Sequence, residues 1–304
     1  MDALSTVLEA TGLKSIVYSK INLAAPWGLD IVKDENSQFW RLISGRCTVG
    51  SPDGSIIEMT EGDLVFVPHG SAHWIADTAT SLRMPSPEFV KARREGIPVF
   101  DNDGHVTTLV GGHFEFDYQW LHPFLKDLPN IIHIKQFVTE NQLLLKQVAQ
   151  VMLQELSCER PGSKVMLKCL SEIMFVSIIR AYLEQAAPHS GFLSALNDAR
   201  ISKALKLMQD VPEKDWTLES LAAEIGMSRS VFFNQFKKLV GETPLTYLTN
   251  WRIRKAKTLL NTDNSNVAQI AARVGYQSEA AFNRVFKAKT GKTPAVYRRG
   301  MLVG

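Results

Sequence analysis

Asn234 and Arg284 stand fifty residues apart, each inside a stretch that nearly repeats the other. The first stretch is "GMSRSVFFNQFKKLVGETP" (226–244) and the second "GYQSEAAFNRVFKAKTGKTP" (275–294). Asparagine presents a donor and an acceptor in one plane, which matches the exposed edge of adenine. Arginine presents parallel donors, which match guanine. At helical spacing, Ser230, Phe233, Asn234 and Lys237 share one face of the first stretch, and Ala280, Asn283, Arg284 and Lys287 share one face of the second. Lys237 and Lys287, a turn further along, suit phosphate oxygens, which orient a protein without specifying sequence.

Those faces need helices to carry them, and the surrounding residues predict such helices twice. "WTLESLAAEIG" opens at Thr217, an N-cap residue type, and Leu218, Leu221, Ala222 and Ile225 make an i, i+3, i+4, i+7 stripe. Gly226 ends this helix where a left-handed residue is needed, and Ser228 caps the next one. Phe232, Phe236 and Leu239 fall on the face opposite the polar one and read as core. Thr243 then caps a further helix with Pro244 in its first turn. "VAQIAARVG" (267–275), Ser278, Phe282 and Phe286 repeat the pattern. Gly241/Gly291, Pro244/Pro294 and Tyr247/Tyr297 keep the offset of fifty, whereas Gly226/Gly275 differ by forty-nine, so the second turn carries one extra residue. Helix, tight turn, helix is a helix-turn-helix outline, expected here over 217–239 and 266–289. "LTYLTNWRIRKAKTLL" (245–260) reads as one helix fixing their separation.

Charge divides the chain in the same place. Residues 200–304 carry 18 Lys and Arg against 8 Asp and Glu, a net +10, while the remainder carries 16 against 23, a net −7. A basic module joined to an acidic one suits a nucleic-acid-binding part attached to something else. At 304 residues the chain is long enough for two or three domains. No apolar run reaches the roughly 18 residues of a membrane span. The first residues show no secretory pattern. Three cysteines, Cys47, Cys158 and Cys169, without CxxC spacing favour a reducing cytoplasm over a disulfide framework.

Up to about Lys135, short apolar runs punctuated by Gly, Pro, Asp and Asn predict a β-rich segment, a small barrel or jelly roll, after a short helix near residues 3–10. "NQLLLKQVAQVMLQEL" and "KVMLKCLSEIMFVSIIRAYLEQ", separated by "ERPG", read as a helical hairpin apolar enough to pack on that barrel or on another subunit. Strand alternation would place Trp40, His73 and Trp74 along an apolar pocket for a small ligand. His69, His73 and His113 make a candidate partial metal site, since two or three imidazoles suit zinc, iron or nickel. Cys47 reads either as a redox switch or as a buried strand cysteine.

The repeated strings, with "WRIRKA" and "YR" after the second, resemble the DNA-binding domain of AraC/XylS-type transcriptional regulators, over about residues 192–299. That resemblance implies two helix-turn-helix subdomains reading adjacent major-groove segments of promoter DNA. It makes Ser230, Phe233, Asn234, Ala280, Asn283 and Arg284 base-facing, with Phe233 and Ala280 limited to apolar contacts. "GDLVFVPHGSAHWI" places Gly62, Pro68, Gly70 and His73 at the spacing of the second cupin motif, and resembles the cupin-type sensor often found before such a domain. The first cupin motif departs from pattern: "KDENSQFWRLISG" holds no histidine, and Gln38 stands where a metal-binding Glu would.

The expected architecture is therefore α+β and multidomain. It has a cupin-like β-barrel sensor (1–135), a helical dimerisation hairpin with linker (136–190), and an all-α DNA-binding domain (191–304). The expected protein is a cytoplasmic homodimer that binds double-stranded promoter DNA under the control of a small effector, and that meets RNA polymerase if it is an activator. It is expected to have no catalytic residues and no obligatory cofactor, with room for a divalent metal in the sensor. The alternative is a metal-dependent cupin enzyme with an incidental basic tail. Turnover by a metal-loaded site would favour the enzyme, and salt-dependent selective DNA binding the regulator.

Overall fold

The computed structural model describes residues 14–115, 123–136, 140–158, 160–185 and 191–301. The helix expected near residues 3–10 lies outside them. The described chain falls into two compact units, one holding 14–115 and 128–185, the other 123–127 and 191–301.

In the first unit, ten strands form two five-stranded sheets. Strands β1 (Lys14–Ala24), β3 (Ser37–Ser44), β6 (Leu64–Val67), β9 (Val106–Glu115) and β10 (Ile132–Ile134) make one sheet, in the order β1-β9-β3-β6-β10. Strands β2 (Gly28–Ile31), β4 (Cys47–Gly50), β5 (Ile56–Met59), β7 (His73–Ala76) and β8 (Met84–Pro85) make the other, in the order β5-β4-β7-β2-β8. Ile21, Leu29, Trp40, Leu42, Val49, Val65, Ile75 and Leu109 interdigitate between them, so the unit is a β-sandwich. The sequence also hides a helix here, α1 (Ser86–Arg94). Pro87 and Glu88 suit its first turn, and Lys91, Arg93 and Arg94 its last. Phe89 is its sole buried residue, too little for an apolar stripe to be visible in the sequence.

Alternation explains why β6 reads as an unbroken apolar run. Val65 faces the interior of the sandwich, and Phe66 faces the other way, onto the hairpin formed by α3 (Glu140–Ser157) and α4 (Ser163–Gln185). Phe175 of α4 meets the rings of Phe66 and Phe114 at 6.0 and 5.2 Å. That sheet is therefore buried on both faces. Buried Ser171 and Ser177 of α4 donate to the carbonyls of Leu167 and Ile173, at 2.7 and 2.8 Å, so their hydroxyls are satisfied within the helix.

The second unit is helical. Its elements are α2 (Pro123–Lys126), α5 (Gly191–Asn197), α6 (Ala199–Asp210), α7 (Leu218–Glu224), α8 (Arg229–Val240), α9 (Pro244–Thr262), α10 (Val267–Arg273), α11 (Glu279–Thr290) and α12 (Pro294–Met301). The carboxylate of Asp127 accepts the Phe192 amide at 2.5 Å, and Phe124 packs edge-on to Phe192, tying α2 to α5. The long helix α9 serves two cores. Tyr247 and Trp251, stacked at 6.4 Å, belong to the first, and Ile253, Ala256 and Leu260 to the second.

Candidate nucleic-acid interface

The turns that set α8 and α11 are built from local bonds. Ser228 Oγ accepts from the Val231 amide at 3.4 Å, and Ser278 Oγ from the Ala281 amide at 3.2 Å. The helices before them, α7 and α10, both begin in capping boxes, Thr217 with Ser220 and Asn266 with Gln269. Both α8 and α11 end on a left-handed glycine, Gly241 at φ 81° and Gly291 at φ 74°. Inward, Phe232 packs on Phe236 with ring centroids 5.6 Å apart, and Phe282 on Phe286 at 5.4 Å. The two halves are copies in side-chain packing as well as in sequence.

Outward, Ser230, Asn234 and Lys237 are exposed on α8, and Ala280, Arg284 and Lys287 on α11. Phe233 and Asn283 sit at the edge of each core and are half-exposed. Several cations in this unit are already engaged. Arg252 donates to the carbonyls of Pro212 and Lys214, Arg298 to that of Ser265, while Arg229 pairs with Glu219 and Arg273 with Asp263. Among the described residues, Lys237, Arg284 and Lys287 make no ion pair and are exposed. Asn234 also borders a groove with Asn197, Asp198 and Lys238, a neighbourhood the sequence did not suggest. Gln235 there is held by Asp198, its amide nitrogen 2.5 Å from Oδ2, while Oδ1 caps α6.

The candidate sensor residues part company. Trp40 and His73 are buried together, the indole Nε1–H donating to His73 Nε2 at 3.0 Å. Trp74 does not join them, which corrects the expected pocket trio. Neighbours on a strand point to opposite faces, so Trp74 lies against Gly50 on the outer face, under the Arg83 guanidinium at 4.8 Å. The metal trio is corrected too: among the described residues no group of three or more metal-ligating side chains comes together. His69 Nε2 bonds the Leu128 carbonyl at 2.7 Å, both His73 nitrogens are engaged, and His113 Nε2 lies 3.4 Å from Glu115. Cys47 is buried 3.8 Å from Met59 Sδ, and burial, with Asp63 nearby, pushes its thiol pKa up to about 12. That is the environment of an inert strand thiol.

In place of the expected trio, Trp40 borders a cleft of about 790 Å³ at the edge of the sandwich. Ile21, Leu29, Ile31 and Gln38 line it from the sheets, and Phe89 and Val90 from α1, with Lys91, Arg93, Arg94, Glu95 and Asp34 around it. Gln38 and α1 were not among the residues the sequence singled out for a pocket. The departure of Gln38 from the cupin pattern was the available signal.

Residues 2–184 match a family described as Cupin, and residues 221–300 match one described as Helix-turn-helix domain. The HTH-type transcriptional regulator AlkR of Acinetobacter baylyi is 29% identical over 304 residues, 98% of this chain and 99% of the relative. An AraC-like transcription regulator of Streptomyces lividans is likewise 29% identical, over 98% of each chain. Among solved structures, the DNA-binding domain of AdpA in complex with a target DNA is 31% identical, covering 34% of this chain and 92% of that one, with a TM-score of 0.32. Among the described residues no helix is long and apolar enough to cross a membrane. The chain belongs to the AraC-type transcriptional regulators that carry a cupin domain before a helix-turn-helix DNA-binding domain.

Proposed function

We propose that this DNA-binding regulator is a one-component switch in which the sandwich takes a small effector and α8 and α11 read adjacent major-groove segments of a promoter. The observation that carries the reading is the duplicated geometry of α8 and α11. Two capped helices of equal length stand on the single strut α9, each with its phenylalanines inward and its hydrogen-bonding residues outward. Ser230, Asn234 and Arg284 face bases in this reading, with Phe233, Ala280 and Asn283 beside them, and Lys237 and Lys287 meet phosphates. The partnerless state of Lys237, Arg284 and Lys287 supports it, because cations already spent on carbonyls or carboxylates gain less from DNA.

The hairpin joins two copies through the exposed apolar residues of α3 and α4, so that linked reading heads occupy linked sites. The protein works in the cytoplasm, where promoter DNA and RNA polymerase are, and it contacts the polymerase if it activates. The unengaged imidazoles that metal-dependent turnover would need are not provided by His69 or His73. Selection of bound fragments from the genome, followed by titration over a salt series, tests the proposal. Selective binding that weakens linearly in log salt is expected, and salt-independent or unselective binding would overturn it.

A further inference from the structure

Gln38 is 4% exposed, and among the described residues its Oε1 has no hydrogen-bond partner. Buried acceptors are rarely left in this state, and one that borders a cleft points to something that enters the cleft. Two neighbouring polar side chains are already engaged: the Trp40 indole donates to His73, and His73 Nδ1 pairs with the Ser71 carbonyl at 2.9 Å. Gln38 Oε1 is thus an acceptor available to orient a ligand between apolar walls.

From this we infer that the cleft takes a small apolar molecule ending in a neutral hydrogen-bond donor, of the phenol or alcohol class, whose O–H is accepted by Gln38 Oε1. The inference rests on the effector reading above and names the chemistry of that ligand. Two observations separate this class from its rivals. A carboxylate could accept only from the Gln38 Nε2–H and would leave Oε1 unpaired, and the cations that could hold it, Lys91, Arg93 and Arg94, lie exposed on α1 with Glu95 and Asp34 among them. A plain hydrocarbon would fill the walls and leave Oε1 buried and unpaired, at a cost. A volume of about 790 Å³ falls in the ordinary range for small-molecule sites, well above what one benzene-sized guest needs. The amide also stands where the cupin pattern would carry a metal-binding glutamate, so this chain has a neutral donor and acceptor in place of a charge.

Calorimetric titration of the full chain with 4-ethylphenol, ethylbenzene and 4-ethylbenzoate tests this. The phenol is expected to bind at least about tenfold more tightly than either of the others. Gln38→Met, which keeps the length and removes the amide, should bring the phenol down to the level of ethylbenzene. Should that variant fail to fold, Val90→Trp decides the place: Val90 is exposed on α1 and lines the cleft, so the bulk should weaken the phenol. A benzoate that binds as tightly as the phenol, a phenol preference that survives Gln38→Met, phenol binding indifferent to Val90→Trp, or no phenol binding at millimolar concentration would each overturn the inference. The two readings also fail separately. If the phenol binds through Gln38 and DNA affinity does not change, the inference stands and effector control falls. If DNA affinity answers to a compound that 4-ethylphenol does not displace, effector control stands and the inference falls.

Discussion

The indole N–H of Trp40 donates to Nε2 of His73 at 3.0 Å, which leaves the ring proton on Nδ1, facing the Ser71 carbonyl. The Trp40 bond requires Nε2 to be unprotonated, and burial lowers the His73 pKa from 6.5, against a smaller opposing effect of the Ser71 bond. A histidine with a depressed folded pKa binds fewer protons folded than unfolded. Its contribution to stability is therefore complete above about pH 6.5 and is lost as pH falls below that value. Thermal unfolding at about pH 8 and about pH 5 should show a loss of stability on acidification that is smaller in His73→Gln, which retains an acceptor for Trp40. An equal loss in both proteins would mean that His73 is not the group responsible.

Cys47 should be chemically silent in the folded protein. Its thiol, pushed up to about 12, gives almost no thiolate at neutral pH, and it is closed in beside Met59. Cys169 is exposed. Peptide mapping after iodoacetamide treatment should find Cys169 alkylated in native protein and Cys47 only after denaturation. Native labelling of Cys47 at the rate of Cys169 would reopen the redox reading.

The two inter-helix turns are alike in sequence and unequal in surroundings. Gly226 has φ 66° and open space around an added Cβ, so Gly226→Ala should cost about 1–2 kcal/mol for the left-handed backbone alone. Gly275, at φ 89°, would place that Cβ 2.7 Å from the Pro212 carbonyl oxygen, which also holds the Arg252 guanidinium. Gly275→Ala should therefore cost about 3 kcal/mol or more. Urea unfolding of both variants checks the order, and equal losses would show that the second turn yields without strain.

That contrast also marks what the sequence could reveal. Caps at Thr217, Ser228, Thr243 and Ser278 were legible because each is a side chain bonding an amide three residues on, a relation that lies within the string. The outward faces of α8 and α11 were legible because phenylalanines at helical spacing fix the inward ones. The choice between His73 and Trp74 was not, because β7 carries large side chains on both faces and alternation does not say which face is inside. Gln38 in its cleft depends on α1 packing across it, from some fifty residues away.

Leu143, Val151, Val165, Met166 and Ile173 are exposed on α3 and α4. Ile173→Lys should leave the fold intact and shift the protein from dimer to monomer in analytical ultracentrifugation at micromolar concentration. A protein without the substitution that sediments as a monomer with and without DNA would remove the dimer from the proposal.

The reading faces give the sharpest separation of roles. Asn234 and Arg284 are exposed opposite the phenylalanine pairs of α8 and α11, and each can make two hydrogen bonds to one base, worth about 1–3 kcal/mol of discrimination. Asn234→Ala should relax specificity in one part of the bound site. Arg284→Ala should relax it in another, about one helical turn, or ~10 base pairs, away if both helices insert together. Lys237→Ala should weaken all sequences alike and lower the salt slope by about one unit, because a phosphate contact releases counterions without reading bases. Selecting preferred sites from random DNA with each variant distinguishes these outcomes. If the selected motif is unchanged in both Asn234→Ala and Arg284→Ala, these two helices do not read the promoter, and the free cations beside them serve only to hold the protein on DNA.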